Sequence, residues 1–138
     1  MPRLTREVIR DRLRVKSLWI TPQNTRVAFW VIGEEHMQAA ANQLLQRYIR
    51  YVVSMLPQGN PGQADSVLMI EKLHSDGVTF TTKWSDIVVE AGVFPHQIPE
   101  GAHDLENPVI SVSGGENLYG TVSGNSINLT VTYWDNDI

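Results

Sequence analysis

The sequence predicts an α+β fold in which a mainly antiparallel sheet packs on one long helix. Three observations favour this class: one long helical pattern of apolar residues after Gly33, short apolar segments of strand length on both sides of it, and no regular alternation of strands and helices. The 138 residues are enough for one domain with a hydrophobic core. We expect residues 17–138 to form this single α+β domain, residues 1–16 to form a basic N-terminal helix or arm, and the C-terminal part to form a β-meander.

The N-terminal arm is the most basic part of the chain. It holds six of the eleven Lys and Arg residues, and no basic residue follows Lys83. If residues 3–14 form a helix, four arginines share an arc of about 80° on it: Arg3, Arg6, Arg10 and Arg14. The apolar residues of this segment are divided between two other sides. This division favours an arm that touches two surfaces.

Two strands are predicted between the arm and the long helix. Residues 15–21 have strand character and are followed by a turn at 22–24. Residues 26–32 (RVAFWVI) are almost continuously apolar, which is typical of a central strand covered on both faces. Trp30 is expected in the core.

The long helix is predicted to begin after Gly33. Glu34 and Glu35 would lie in its first turn, where negative charge complements the helix dipole. Pro57 and the glycines that follow it would end the helix. Its apolar face would consist of residues at helical spacing: Met37, Ala41, Leu44, Leu45, Tyr48, Val52, Met55 and Leu56.

The rest of the chain is predicted to be β-structure. Residues 66–73 and 78–82 would be strands joined by a turn, residues 84–91 fit either a strand or a short helix, and residues 95–107 would form a long exposed loop. Three short strands should follow, at 108–113, 117–123 and 126–134.

A tight hairpin is predicted between the last two strands, at residues 123–126. In the final strand, Ile127, Leu129, Val131 and Tyr133 alternate with Asn128, Thr130, Thr132 and Trp134. This alternation predicts one buried face and one face in contact with water, with Trp134 on the second.

Motifs for catalysis, metal binding or a cofactor are not found in the sequence. It has no cysteine, no HExxH pattern, no phosphate-binding glycine loop and no GxSxG nucleophile motif, so we predict no catalytic residue, no metal site and no cofactor. The acidic loop with His96 and His103 is a conceivable cation site, but a solvated loop explains it better. The segment Asp135–Asn136–Asp137 resembles a calcium loop in composition only, and an acidic tail that pairs with a basic surface or stays solvated explains it better. No apolar run approaches the roughly twenty residues that span a bilayer, so no membrane is expected as a partner.

The charge distribution predicts an interface. The last 55 residues carry eight acids and no Lys or Arg, so the two ends of the chain are opposite in charge. We expect the arm to contact an acidic C-terminal half in a homo-oligomer. Nucleic acid is a possible partner of the arm but is less favoured, because Glu7 and Asp11 suit a protein surface better. The predicted interface residues are Arg3, Arg6, Arg10, Arg12 and Arg14 in the arm, and Tyr119, Trp134, Asp135 and Asp137 in the C-terminal part.

The stretch GGENLYGTVSG at residues 114–124, followed by LTVTY at 129–133, resembles the closing hairpin of small β-rich virion proteins of double-stranded DNA phages. The resemblance covers about 25 residues. It implies a structural component of a head, neck or tail that is assembled in the host cytoplasm, acts as an oligomer and contacts other virion proteins.

The leading hypothesis is therefore a non-enzymatic virion structural or assembly protein that acts as a symmetric oligomer. The alternative is a ligand-binding β module, with carbohydrate as the expected ligand and Trp134 and Tyr119 as stacking rings. A third reading is a small enzyme with a site in the 95–107 loop.

Overall fold

Antiparallel strands make up most of the part of the chain that the structure describes. This structure is a computed structural model, and it describes residues 6–22, 26–30, 47–59, 65–90, 97–98, 108–113 and 115–137. Its elements, in chain order, are α1 (Arg6–Asp11), β1 (Arg14–Ile20), β2 (Val27–Ala28), β3 (Arg47–Gly59), β4 (Ser66–Leu73), β5 (Phe80–Val89), β6 (Asn117–Ser123) and β7 (Ile127–Asp137).

The strands form two antiparallel sheets. Sheet A has three strands in the order β1-β7-β3, and sheet B has four in the order β2-β6-β4-β5. Both sheets contribute to one hydrophobic core, because Leu129 and Val131 of sheet A and Leu68 and Ile70 of sheet B belong to the same buried cluster. The largest driving force for this arrangement is the removal of these apolar side chains from water.

The predicted α+β class is wrong, because the described part of the chain contains one short helix and two sheets rather than a sheet on a long helix. Residues 47–56 of the predicted helix belong to the thirteen-residue strand β3. Residues 34–46 of that prediction lie outside the described residues.

Bulges in β3 explain why its buried apolar residues have a helical spacing in the sequence. Its pairing with β7 shifts register between Ile49 and Tyr51 and again between Val52 and Ser54. Each shift adds one residue to β3, and an added residue changes which face the following side chains occupy. Val52 and Met55 are both fully buried although they are three residues apart, which is a helical spacing.

The predicted C-terminal meander is also wrong. The strands β6 and β7 are joined by only a short turn, yet β6 lies in sheet B and β7 in sheet A. The turn packs against the start of β4: the Ser66 hydroxyl donates to the Asn125 carbonyl at 2.6 Å and accepts from the Asn125 N–H at 2.9 Å. Gly124 has a φ of +111°, and a Cβ there would lie 2.9 Å from the Asp65 carbonyl oxygen. The chain therefore crosses between sheets where the sequence predicts a hairpin.

The other predicted strands have mixed outcomes. The strand at 66–73 is confirmed as β4, and 117–123 is confirmed as β6. The described part of 26–32 contains only the two-residue strand β2, at an edge of sheet B rather than at its centre. Residues 108–113 contain a single bridge, between Ile110 and Val52, instead of a strand.

The turn predicted after residue 73 separates β4 from β5, and the segments predicted separately at 78–82 and 84–91 are represented by one continuous strand, β5 (Phe80–Val89). Residues 80–89 pair with β4, which resolves the ambiguity at Trp84 in favour of a strand. Two register shifts in this pairing place additional residues on β5, one at Lys83 and one at Ser85–Asp86. Asp86 has a φ of 57°, a left-handed conformation that residues with a side chain seldom adopt. β5 is thus a doubly bulged edge strand.

Candidate interaction surface

The first strand, β1, forms an edge of sheet A. Seven successive residue pairs join it to β7 without a bulge, from Arg14 opposite Tyr133 to Ile20 opposite Ile127. Within the described residues, β7 is the one strand that pairs with β1. An edge strand presents backbone N–H and C=O groups on its open side, which is the structural requirement for pairing with another strand.

Two exposed apolar side chains lie on the outer face of β1. Val15 is 65% exposed and Trp19 is 53% exposed, and the exposed Ser17 lies between them on the same face. The opposite face carries Leu18, which packs against the core, and the fully buried Ile20. The two faces follow from the two-residue period of a strand. An exposed indole next to an open strand edge is the composition expected of a contact surface.

The basic arm contacts the acidic end of its own chain. The Arg14 Nη1 atom lies 3.3 Å from the Asp135 Oδ2 atom, and the Arg12 Nη1 atom donates to the Asp135 backbone carbonyl at 3.4 Å. Asp135 is only 4% exposed. The attraction between arm and C-terminal strand that the sequence predicts is therefore present within one protomer. The contact with a neighbouring subunit stays a prediction.

A polar cleft of about 230 Å³ lies where the arm meets β7, lined by Asp11, Arg12, Leu13, Arg14 and Asp135. The Arg14 side chain is 46% exposed there. The lining contains two arginines and two aspartates, so its formal charges balance. The contacts of Arg12 and Arg14 with Asp135 hold the arm on the sheet.

The other predicted arm residues are placed differently. Arg10 is exposed on α1, Arg3 lies outside the described residues, and of Arg6 only the backbone is described. Ile9 of the same helix is 2% exposed, so α1 is anchored by an apolar side chain. The prediction of a helix over 3–14 is confirmed only for Arg6–Asp11, and the last residues of the predicted arm already belong to β1.

Trp134 does not lie on a wet face as the sequence predicts. It is 3% exposed, and its neighbours Tyr133 and Asp135 are buried as well, so this end of β7 is covered on both faces. Strict alternation applies only where one face of a strand is open to water. A stacking role for Trp134 in carbohydrate binding would require an exposed ring, which this position does not provide. The side chain of Asp137, another predicted residue, is outside the described part.

Tyr119 belongs to a separate cluster on sheet B. Its ring meets Phe80 edge-on, with centroids 5.4 Å apart, and the Arg26 guanidinium lies 3.7 Å above the Phe80 ring. Arg26 also donates to both carboxylate oxygens of Glu71, at 3.0 and 3.3 Å. These hydrogen bonds raise the pKa of Arg26 above its ordinary value. The cluster ties the start of β2 to β4 and β5, and the Arg26 and Glu71 side chains bind each other.

A second polar network lies at the β4–β5 turn. Glu116 lies 3.3 Å from the Lys72 Nζ atom and 3.7 Å from the His74 Nδ1 atom. The His74 Nε2 atom is hydrogen-bonded to the Thr81 hydroxyl at 2.6 Å. In the part of the chain that the structure describes, no three His, Asp or Glu side chains are grouped as metal ligands. No described helix is long and apolar enough to cross a membrane.

The sequence interpretation missed Val15 and Trp19 as surface residues, although the signal was present. In the segment VKSLWI, the residues that face the core can be identified by stepping back in twos from Ile20, which leaves Val15, Ser17 and Trp19 on the other face.

Comparison of the chain with protein-family models, curated proteins and solved structures finds no match. The function must therefore be inferred from the geometry of the chain itself. The described groups form a surface suited to binding, built from a regular open edge, an exposed indole and an exposed valine.

Proposed function

We propose that this protein is a non-enzymatic structural or assembly protein that acts as a symmetric oligomer, with the outer surface of β1 as its contact. The observation that carries the proposal is the exposure of Val15 and Trp19 on a regular edge strand. Burying these side chains against a partner would remove apolar surface from water, which is the usual driving force of stable association.

The contact surface differs from the one that the sequence predicts. Arg12 and Arg14 bind Asp135 of the same protomer, so the arm supports β1 instead of reaching across to a neighbour. In this proposal the apolar residues supply the binding energy, and the arginines position the strand that presents them.

The virion setting of the proposal rests on the resemblance of residues 114–133 to virion proteins of double-stranded DNA phages. Genes for portal, capsid or tail proteins beside the gene for this chain would support that setting. Neighbouring genes of other classes would remove the virion setting and leave the oligomer proposal in place.

Two matched valines allow the contact to be tested. Val15 on β1 and Val88 on β5 are 65% and 56% exposed, so a Glu at either position meets water in the free protomer. We expect the wild type to be an oligomer at micromolar concentration by light scattering coupled to gel filtration. Val88→Glu should behave like the wild type, and Val15→Glu should need a higher concentration to form the oligomer.

The expected weakening by Val15→Glu is roughly 2- to 30-fold in dissociation constant. A cross-strand apolar pair contributes roughly 0.2–1 kcal/mol, and a symmetric interface contains each substitution twice. A wild type that stays monomeric over the whole concentration range would refute the oligomer. Equal effects of the two variants would refute β1 as the contact.

A further inference from the structure

The residues of β1 are compatible with pairing to a second copy of the same strand. Two antiparallel copies of an edge strand related by a two-fold axis normal to the sheet keep the same face on the same side. If the axis passes through Ser17, Arg14 lies opposite Ile20, Lys16 opposite Leu18, and Ser17 opposite its own copy. All seven residues of β1 then take part.

In this register the two exposed apolar residues of one copy lie opposite the two exposed apolar residues of the second copy. Val15 lies opposite Trp19 of the second copy, and Trp19 lies opposite its Val15, because both are two residues from Ser17. Their exposed fractions are 65% and 53% in the single chain. Pairs of an aromatic and a β-branched side chain are among the favourable cross-strand combinations. The interface would therefore contain two such pairs, and in each pair the valine and the tryptophan side chains would shield each other from water.

The neighbouring registers are less favourable. An axis through Lys16 would place two ammonium groups directly opposite each other, which is destabilising. An axis through Leu18 would leave Val15 beyond the end of the second β1 and still exposed. A shift by one residue would put the core face of one copy on the outer side of the other.

Sheet B does not offer an equivalent edge among its described strands, because one edge is the two-residue strand β2 and the other is β5. The strand β5 is bulged at Lys83 and at Ser85–Asp86, and Asp86 has a left-handed backbone. Bulges are one of the features by which edge strands resist pairing. β1 has no bulge in its pairing with β7.

We infer that two copies of this chain join through antiparallel β1 strands centred on Ser17, so that the two copies of sheet A form one continuous six-stranded sheet. This inference rests on the proposed function and specifies its partner and register. The dimer would be the symmetric unit of the oligomer.

Single-cysteine variants test the register directly, since the wild type contains no cysteine. At the centre of an antiparallel pair the two Cα atoms are roughly 4.5–5.5 Å apart, within the range of about 4.4–6.8 Å that a disulfide spans. In the Leu18-centred register the two residues 17 would be diagonal neighbours, roughly 7–8 Å apart and too distant. Ser17→Cys should therefore form a covalent dimer on mild oxidation.

Ser85→Cys is the matched control, because Ser85 is an exposed serine on the other edge strand. We expect most of Ser17→Cys and little of Ser85→Cys to become a disulfide dimer on non-reducing gels. A second measurement uses the wild type: amide exchange of residues 14–20 should slow as the concentration is raised through the dissociation constant, while exchange of residues 80–89 stays unchanged.

The possible outcomes distinguish the pairing of β1 strands from the proposed assembly function on which it rests. A wild-type oligomer without the Ser17→Cys dimer and without slowed exchange in β1 would refute the pairing and leave the assembly function intact. A monomeric wild type without cross-linking would refute both. Cross-linking of Ser17→Cys with slowed exchange in β1 supports both.

Discussion

The strand β1 is one edge of sheet A and β5 is one edge of sheet B, and the two differ in the regularity of their pairing. β1 pairs with its neighbour through seven successive residues and exposes Val15 and Trp19. β5 has two register shifts against β4 and carries exposed Lys83 and Asp86 at them. An edge that evolution protects against pairing usually has the features of β5. The proposed pairing through β1 requires this contrast between a regular edge and a bulged one.

Both edge strands are nevertheless held to the core by one fully buried residue each. This residue is Ile20 in β1 and Val89 in β5. Ile20 also contacts the neighbouring sheet, because a Cβ on Gly120 would overlap its Cδ1 atom. The surface of β1 can therefore be changed independently of its anchor.

The largest effect is expected from removing the anchor of β1. Ile20→Ala should lower the free energy of unfolding by about 2–5 kcal/mol, through lost burial and the cavity left behind. Ser17→Ala, on the exposed face of the same strand, should stay within about 0.5 kcal/mol of wild type. Urea denaturation measures both. Similar values for the two variants would show that β1 is not anchored as the structure describes.

A smaller effect is expected from separating the arm from β7. Arg14→Leu removes the cation beside the buried Asp135 carboxylate and should cost about 1–3 kcal/mol. Arg10→Leu, on the exposed side of α1, should cost little. Thermal or urea unfolding distinguishes them. If the Asp135→Asn variant responds to Arg14→Leu as strongly as wild type does, the ion pair is not the cause.

The bulge in β5 gives the next test. Asp86→Val places a β-branched residue at a φ of 57° and should cost about 1–2 kcal/mol. Asp86→Gly should cost less, because glycine adopts this conformation without a steric penalty. Urea denaturation of the two variants measures the difference between their free energies of unfolding. A Val variant as stable as the Gly variant would mean that the strand straightens and that its bulge does not resist pairing.

The smallest effect is expected at the turn that joins β4 to β5. Asp76 accepts hydrogen bonds from the Thr79 hydroxyl and from the backbone N–H groups of Thr79 and Val78, and these lower its pKa from 3.8 to about 2. A lowered carboxyl pKa stabilises the fold above the unfolded-state value, and the contribution is lost as the pH falls towards 2.

The Asp76→Ala variant lacks this contribution, so its stability should approach that of wild type between pH 4 and pH 2. Amide exchange of Val78 and Thr79 gives a local measurement of the same change. A difference between the variants that stays constant over this pH range would argue against the turn carboxylate as the cause.

The sequence was sufficient to predict strands whose apolar residues alternate regularly and whose ends are marked by turn residues. β1, β4, β6 and the buried positions of β7 could all be predicted from alternation and turn residues. β3 could not, because its bulges place Val52 and Met55 on one face at helical spacing. A register shift depends on the partner strand, which the local sequence does not contain.

The sequence predicts an interface in the basic arm at residues 1–16 and in the C-terminal part, and does not identify the candidate surface on β1. The N-terminal segment was identified by its charge, while the exposed surface of β1 consists of Val15, Ser17 and Trp19. The charge of a segment can be read from its sequence without knowing which strand lies beside it. The pairing of Arg14 with Asp135 in the same chain becomes visible only when β1 is placed beside β7.

The position of β7 in the middle of sheet A has a consequence for how the protein is made. Hydrogen-bonded neighbours on β1 and β7, such as Ser17 and Asn128, are 111 residues apart in the chain. On a ribosome, β1 must wait for residues 127–137 before sheet A can form, whereas the β4–β5 hairpin can close from local contacts. During that interval the strand with Val15 and Trp19 lacks its partner, so a chaperone that shields residues 14–20 should raise the yield of soluble protein.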